Sequence, residues 1–191
     1  MAEIVLFHHA QGLTEGVQAF AAELRGAGHT VHLPDLYEGH TFDTLDEGLG
    51  YARKTGFDTV MERGVAAAAD LASGLVYAGF SLGVMPAQQL AQTRAGAKGA
   101  LFFHACLPVA EFGEAWPAGV PVQVHGMDGD PFFAGEDLEA ARALVDSTDQ
   151  AELFLYPGNE HLFTDSSLPA FDDAAAGLVR SRSLTFLDGI R

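Results

Sequence analysis

Short apolar runs alternate along the whole chain with longer stretches in which apolar residues recur at helical spacing. Ile4 to His8 is a compact apolar run and reads as a buried strand. Thr14 to Gly28 follows with Val17, Phe20, Ala21 and Leu24 on one helical face, Thr14 in position to cap the start and Gly26 and Gly28 to end it. Thr30 to Leu33 is a second strand closed by Pro34, residues 35–42 read as loop, and Thr44 to Ser73 reads as helix broken near Gly56. The same rhythm continues with strands at Leu75–Gly79, Gly99–His104, Val120–His125 and Glu152–Tyr156. Helices are expected at Leu82–Arg94, Phe133–Val145 and Pro169–Leu187.

Runs that are apolar on both faces, separated by amphipathic helices, predict a mostly parallel sheet with helices on both sides. The expected fold class is therefore α/β, a three-layer α/β/α sandwich around about six to seven strands. No repeat, low-complexity tract or linker divides the chain, so residues 1–191 are expected to form a single domain. The longest irregular piece between strands, 105–119, is too short for a folded cap domain.

Composition narrows the function. The chain has 10 basic against 26 acidic residues, a formal net charge of −16. That balance argues against nucleic acid or an anionic membrane surface as partner. Cys106 is the one cysteine, which excludes a disulfide scaffold. With no basic leader followed by an apolar stretch, and no uncharged run approaching the ~20 residues that span a bilayer, the expected location is cytoplasmic.

In open parallel sheets, ligands bind beyond the carboxyl ends of the strands. The residues just past those ends are His8–Gly12, Asp35–Tyr37, Phe80–Gly83, His104–Leu107, His125–Pro131 and Pro157–Phe163. Gly79-Phe80-Ser81-Leu82-Gly83 matches G-x-S-x-G, and it falls at a strand-to-helix turn, where small flanking residues leave a serine hydroxyl exposed. Ser81 needs a base, and the base needs an orienting acid. His161 is the only histidine after the last strand. After the strand Val120–His125 come two acids, Asp128 and Asp130. Only one of them can hold the imidazole, and Asp-Gly is turn chemistry in any case.

These segments resemble the dienelactone hydrolase family of α/β-hydrolases, over nearly the whole chain. The resemblance is carried by Val5 to Leu13, Pro34 to Gly39, Gly79 to Gly83, and His125 to Phe133 with His161-Leu162-Phe163. It implies an α/β-hydrolase fold of the compact branch with no cap domain. In the family the acid is followed by a residue and then Phe, as in Asp130-Pro131-Phe132, which favours Asp130 over Asp128. The family's oxyanion hole maps to the backbone N–H groups of Leu82 and Ala10.

The chain also departs from the family pattern. The nucleophile is serine where the family's named member has cysteine. His9 stands where the family has a glutamate, and Glu160 where it usually has glycine before the histidine. The named member binds its substrate's carboxylate with arginines, one lying shortly after the histidine, yet Leu162 to Ala170 contains no Arg or Lys. Asp35, Glu38, Asp43, Asp46 and Glu47 are expected to crowd the site side.

The expected function is thus a serine hydrolase of a small neutral carboxylic ester, thioester or lactone, working through a Ser81–His161–Asp130 triad without a cofactor. The alternative is a catalytically weak relative that serves as a small-molecule binding or regulatory module. His9, Tyr37 and Phe80 are expected near the substrate pocket, with Phe132, Phe163 and Trp116 as further apolar candidates. His8, His9, His104 and His125 fall near strand ends and could gather at one rim, but their spacing matches no metal motif, and no metal is expected. Gly48-Leu49-Gly50 lacks the third glycine of a dinucleotide fingerprint, and no P-loop lysine pattern occurs.

Overall fold

Each of the six apolar runs becomes a strand in the computed structural model, which describes residues 1–190. The strands are β1 (Glu3–Phe7), β2 (Thr30–His32), β3 (Val76–Phe80), β4 (Gly99–Phe103), β5 (Val122–Met127) and β6 (Ala151–Tyr156). They form one sheet in the order β2-β1-β3-β4-β5-β6, and every neighbouring pair is parallel.

Successive side chains on a strand point to opposite faces, and here both faces are covered. Val5, Phe7, Tyr77, Ala100 and Phe102 pack on one side against α2 (Leu45–Thr55), α3 (Phe57–Ala67), α4 (Val84–Thr93) and α5 (Glu136–Ser147). Ile4, Leu6, Val76, Ala78, Leu101 and Phe103 pack on the other side against α1 (Glu15–Gly26) and α6 (Asp173–Gly189). This two-sided burial is why the strands read as continuous apolar runs rather than as alternating ones.

Helix starts follow local chemistry. Thr14 caps α1 by accepting from Val17 N–H, and Thr44 and Glu47 form a reciprocal capping box on α2. The long helical stretch breaks where expected, at Gly56, whose φ of +95° suits glycine.

Several boundaries differ from the sequence reading, α3 ending at Ala67 rather than Ser73 among them, and three have a clear cause. β5 begins at Val122 because Pro121 has no N–H to give the ladder, and it runs on to Met127, which pairs with Tyr156. α5 starts at Glu136 rather than Phe133, because the Phe133 ring lies against Gly126, where any Cβ would overlap it. α6 starts at Asp173, capped by Asp172, and Pro169 and Ala170 belong to a turn before it.

The chain runs from β1 outward to β2, then returns to place β3 on the other side of β1. That reversal opens a crevice at the carboxyl ends of β1 and β3. The segments His8–Gly12 and Ser81–Gly83 face each other there. No described helix is long and apolar enough to cross a membrane.

Candidate active site

The turn after β3 is built by its two glycines. A Cβ on Gly79 would overlap the Gly83 carbonyl, and one on Gly83 would lie 2.5 Å from the Phe7 carbonyl oxygen, so only glycine lets the turn close and the following helix approach β1. Ser81 sits between them at φ +48°, in the left-handed region that costs an L-residue roughly 1–2 kcal/mol. Its side chain is thereby held out of the sheet at the mouth of the crevice.

Ser81 Oγ lies 2.8 Å from His161 Nε2, and His161 Nδ1 lies 2.6 Å from Asp130 Oδ2. An ionised carboxylate only accepts, so the Nδ1 proton points at Asp130 and Nε2 is left to accept from the serine hydroxyl. Asp130 is fully buried, and its second oxygen accepts from Phe132 N–H at 2.9 Å. The Phe132 ring is half exposed and lies 4.8 Å from the imidazole. Asp128 stays outside this chain of bonds. It is exposed, and its Oδ1 accepts from Gly158 N–H at 3.3 Å. Glu160 is exposed too, and it forms no ion pair with His161 among the described residues.

Leu82 N–H falls at the start of a 3-10 turn, Ser81–Gly83, that leads into α4, and the first N–H groups of a helix lack intrahelical acceptors. Ala10 follows β1 across the crevice, in a turn closed by the bond from Gly12 N–H to the His9 carbonyl. The loop after β4 is pinned to α4. Gln88 both donates to the Leu107 carbonyl and accepts from its N–H, at 2.7 and 3.0 Å, and Gln92 donates to the Val109 carbonyl.

A cleft of about 530 Å³ reaches His161. Gln11, Leu45, Phe132, Leu168 and Pro169 line it together with two acids, Asp43 and Glu160, and no lining residue is Lys or Arg. Ser81 is not in this lining, and neither are the expected pocket residues His9, Tyr37 and Phe80. All three are at most 2% exposed, because Tyr37 packs on Phe42 and Tyr51 and Phe80 lies between Phe20 and Phe103. Phe163 and Trp116 are likewise core residues, so Phe132 is the one expected aromatic at the cleft.

The expected crowd of acids also thins out. Asp35 accepts from the N–H groups of Tyr37 and Gly39, Glu38 pairs with Arg63, and Glu47 caps α2, so Asp43 alone of that group reaches the cleft.

The strand-end histidines do not form a rim. His8 donates from Nδ1 to the His9 carbonyl and accepts from Leu36 N–H at Nε2. His104 is bonded to Thr164 Oγ1 and His125 to the Tyr156 hydroxyl. Burial holds His8 down to about 4 and His125 to about 3, and it lowers His104 well below its ordinary value, so these rings are neutral at pH 7. No group of three or more ligating side chains converges on a point among the described residues. Cys106 is buried, and burial pushes its thiol up to about 12, far from a reactive thiolate.

The sequence reading missed one buried cluster beside the site, in which Asp165 accepts from His9, Thr14 and Ser167. Its local trace was the Asp-x-Ser of a turn, but His9 and Asp165 lie 156 residues apart, and no spacing announces such a pair.

A profile of the dienelactone hydrolase family matches residues 1–190. Comparison with curated protein sequences gives no significant match. Among solved structures, the chain is similar to a dienelactone hydrolase-like promiscuous phosphotriesterase from metagenomic libraries. That match has a TM-score of 0.75 and 19% identity, covering 100% of this chain and 87% of the other. It is also similar to esterase 2 of Thermogutta terrifontis in its apo form, at a TM-score of 0.64 and 16% identity over 98% and 82% of the two chains. A third similar structure is from a study of the metagenome-derived lipolytic enzymes LipS and LipT, with a TM-score of 0.66 and 14% identity over 98% and 93%. At these identities the likeness speaks for the fold.

Proposed function

The chain belongs to the dienelactone hydrolase family and is a hydrolase of the α/β type, and from that premise we propose that it cleaves a small neutral carboxylic ester, thioester or lactone through an acyl-enzyme on Ser81. His161 Nε2 takes the serine proton as Oγ attacks the carbonyl carbon. The same proton then goes to the leaving alkoxide or thiolate as the acyl–oxygen or acyl–sulfur bond breaks. Asp130 orients the ring and stabilises its charged form. The N–H groups of Leu82 and Ala10 hold the oxyanion, a contribution of about 3 kcal/mol per donor. A water then attacks the acyl carbon as His161 Nε2 takes its proton, and that proton passes to Ser81 Oγ as the acyl–Oγ bond breaks.

The observation that carries this reading is the unbroken run of hydrogen bonds Ser81–His161–Asp130, with the acid fully buried. The neutral substrate is supported by a cleft that has Asp43 and Glu160 but no cation in its lining, on a chain of net charge −16. A binding-module reading would need Glu160 or His9 to draw the catalytic ring away from Ser81. Glu160 makes no ion pair with His161, whose partner is Asp130, and His9 is turned into a separate buried cluster, so no observation favours it.

The test is steady-state hydrolysis of a panel of small nitrophenyl esters and lactones. Ser81→Ala is expected to lower kcat by about 10⁴-fold or more. A succinyl half-ester, which carries a free carboxylate, is expected to react with lower kcat/KM than the matching neutral ester. Unchanged turnover in Ser81→Ala would refute the assignment, and a preference for the anionic ester would refute the substrate class.

A further inference from the structure

A buried pair that the proposed chemistry does not use joins the two loops that it does use. His9 follows β1 and is 1% exposed. Its Nδ1 accepts from Gln11 N–H at 3.2 Å, so the ring proton sits on Nε2 and is donated to Asp165 Oδ2 at 2.7 Å. The His9 carbonyl accepts from Gly12 N–H at 3.0 Å and from His8 Nδ1–H at 2.8 Å. That carbonyl and the Ala10 N–H belong to one planar peptide group and point in opposite directions. Anchoring the carbonyl on two donors therefore aims the N–H. Gly48 closes the other side of the turn, since a Cβ there would overlap the Ala10 carbonyl.

Asp165 lies four residues past His161 and is 3% exposed. Its Oδ2 accepts from His9 and from Thr14 Oγ1, and its Oδ1 accepts from Ser167 N–H and Oγ at 2.8 and 2.6 Å. Gly16 leaves the space this carboxylate occupies. Burial pushes the Asp165 carboxyl up, but the bonds from His9, Ser167 and Thr14 outweigh it and hold the group at about 2, so it is charged at any working pH.

We propose that His9 and Asp165 act as a positioning pair: through the bond from Gln11 N–H to the His9 ring they hold the turn that presents the Ala10 N–H to the oxyanion, and they lock that turn to the loop carrying His161. This rests on the triad reading above. The pair touches no reacting atom, so its effect falls on kcat rather than on KM.

The test compares His9→Phe, His9→Asn and His9→Gln with wild type by kcat and KM on one neutral ester and by the rate of labelling with a fluorophosphonate, whose P=O needs the same donors. Asn keeps an acceptor near Nδ1 for Gln11, Gln keeps a donor near Nε2 for Asp165, and Phe keeps neither. Phe is expected to lower kcat by about 10²-fold with KM within about twofold and labelling slowed in parallel. Asn and Gln should each restore part of the rate, and they keep a polar group in the cluster should Phe fail to fold. A kcat within about twofold of wild type in the folded variants, or a loss confined to KM, overturns the pair alone. Absence of Ser81-dependent turnover in the wild-type protein would overturn the triad reading, and the pair's role with it.

Discussion

Asp130→Asn is expected to lower kcat by about 10⁴-fold with little change in KM, whereas Asp128→Asn leaves both within about twofold. The two residues are separated by one glycine, yet their surroundings differ in kind. Asp130 is fully buried and accepts the Nδ1 proton of His161. An asparagine there can turn its amide N–H toward Nδ1, which moves the ring proton to Nε2, and a protonated Nε2 cannot accept from Ser81. The geometry survives and the base is lost. Asp128 is exposed and only accepts from Gly158 N–H through Oδ1, a bond the asparagine oxygen keeps. Steady-state kinetics on both variants decide the matter, and similar losses in the two would mean that the acid is misassigned.

The second large effect is on stability. The protein is expected to lose about 5 kcal/mol of unfolding free energy between pH 6 and pH 4. His8, His104 and His125 are buried and neutral, each held below the ordinary 6.5 chiefly by burial, to about 4 in His8 and about 3 in His125. Below pH 6.5 the unfolded chain takes up a proton at each of the three and the folded chain does not. Their stabilisation is complete above 6.5 and is lost as pH falls toward the folded values. Asp137 works the other way, because burial raises it to about 6 and the folded state takes its proton first. The net difference is roughly two protons, or about 3 kcal/mol per pH unit, against a total stability of about 5–15 kcal/mol for a domain. Urea denaturation across this range measures it directly. His125→Gln, which keeps a polar group beside the Tyr156 hydroxyl, should make the slope shallower by about one proton's worth. A flat profile between pH 6 and 4 would contradict these neutral buried histidines.

The sequence carried the architecture where local forces decide it. Strands buried on both faces announce themselves as apolar runs, and Gly56 marks the helix break because only glycine suits its φ of +95°. Boundaries were less legible where a distant contact sets them. Nothing local to Phe133 says that its ring will occupy the space over Gly126 and delay α5 to Glu136. The same division runs through the site. In G-x-S-x-G the first glycine answers a requirement of the turn itself and the second the approach of β1, and both fall within five residues, so the turn could be read from them. Strand-end positions then narrowed the partners to His161 and two acids, because a parallel sheet puts all its carboxyl ends on one edge.

What spacing left open was direction. Asp128 and Asp130 are both turn residues, and only three dimensions show which one points inward. The pocket was misread for a related reason. Tyr37 and Phe80 follow or end strands, but aromatic rings at those positions are drawn into the core, and the cleft is lined instead by Gln11, Leu45 and Leu168, which carry no motif. The cluster of His9 and Asp165 depends on chain ends far apart in sequence, and it becomes visible only once α1 and the last loop are packed together.

The measurement that tests the central claim most directly is the intact mass of the protein after treatment with a fluorophosphonate, on wild type and on Ser81→Ala. An armed serine displaces fluoride from phosphorus with help from its base and oxyanion donors, and an unactivated hydroxyl does not. The account predicts one adduct on wild type and none on Ser81→Ala. No adduct on the native protein, or equal labelling of the variant, would contradict it.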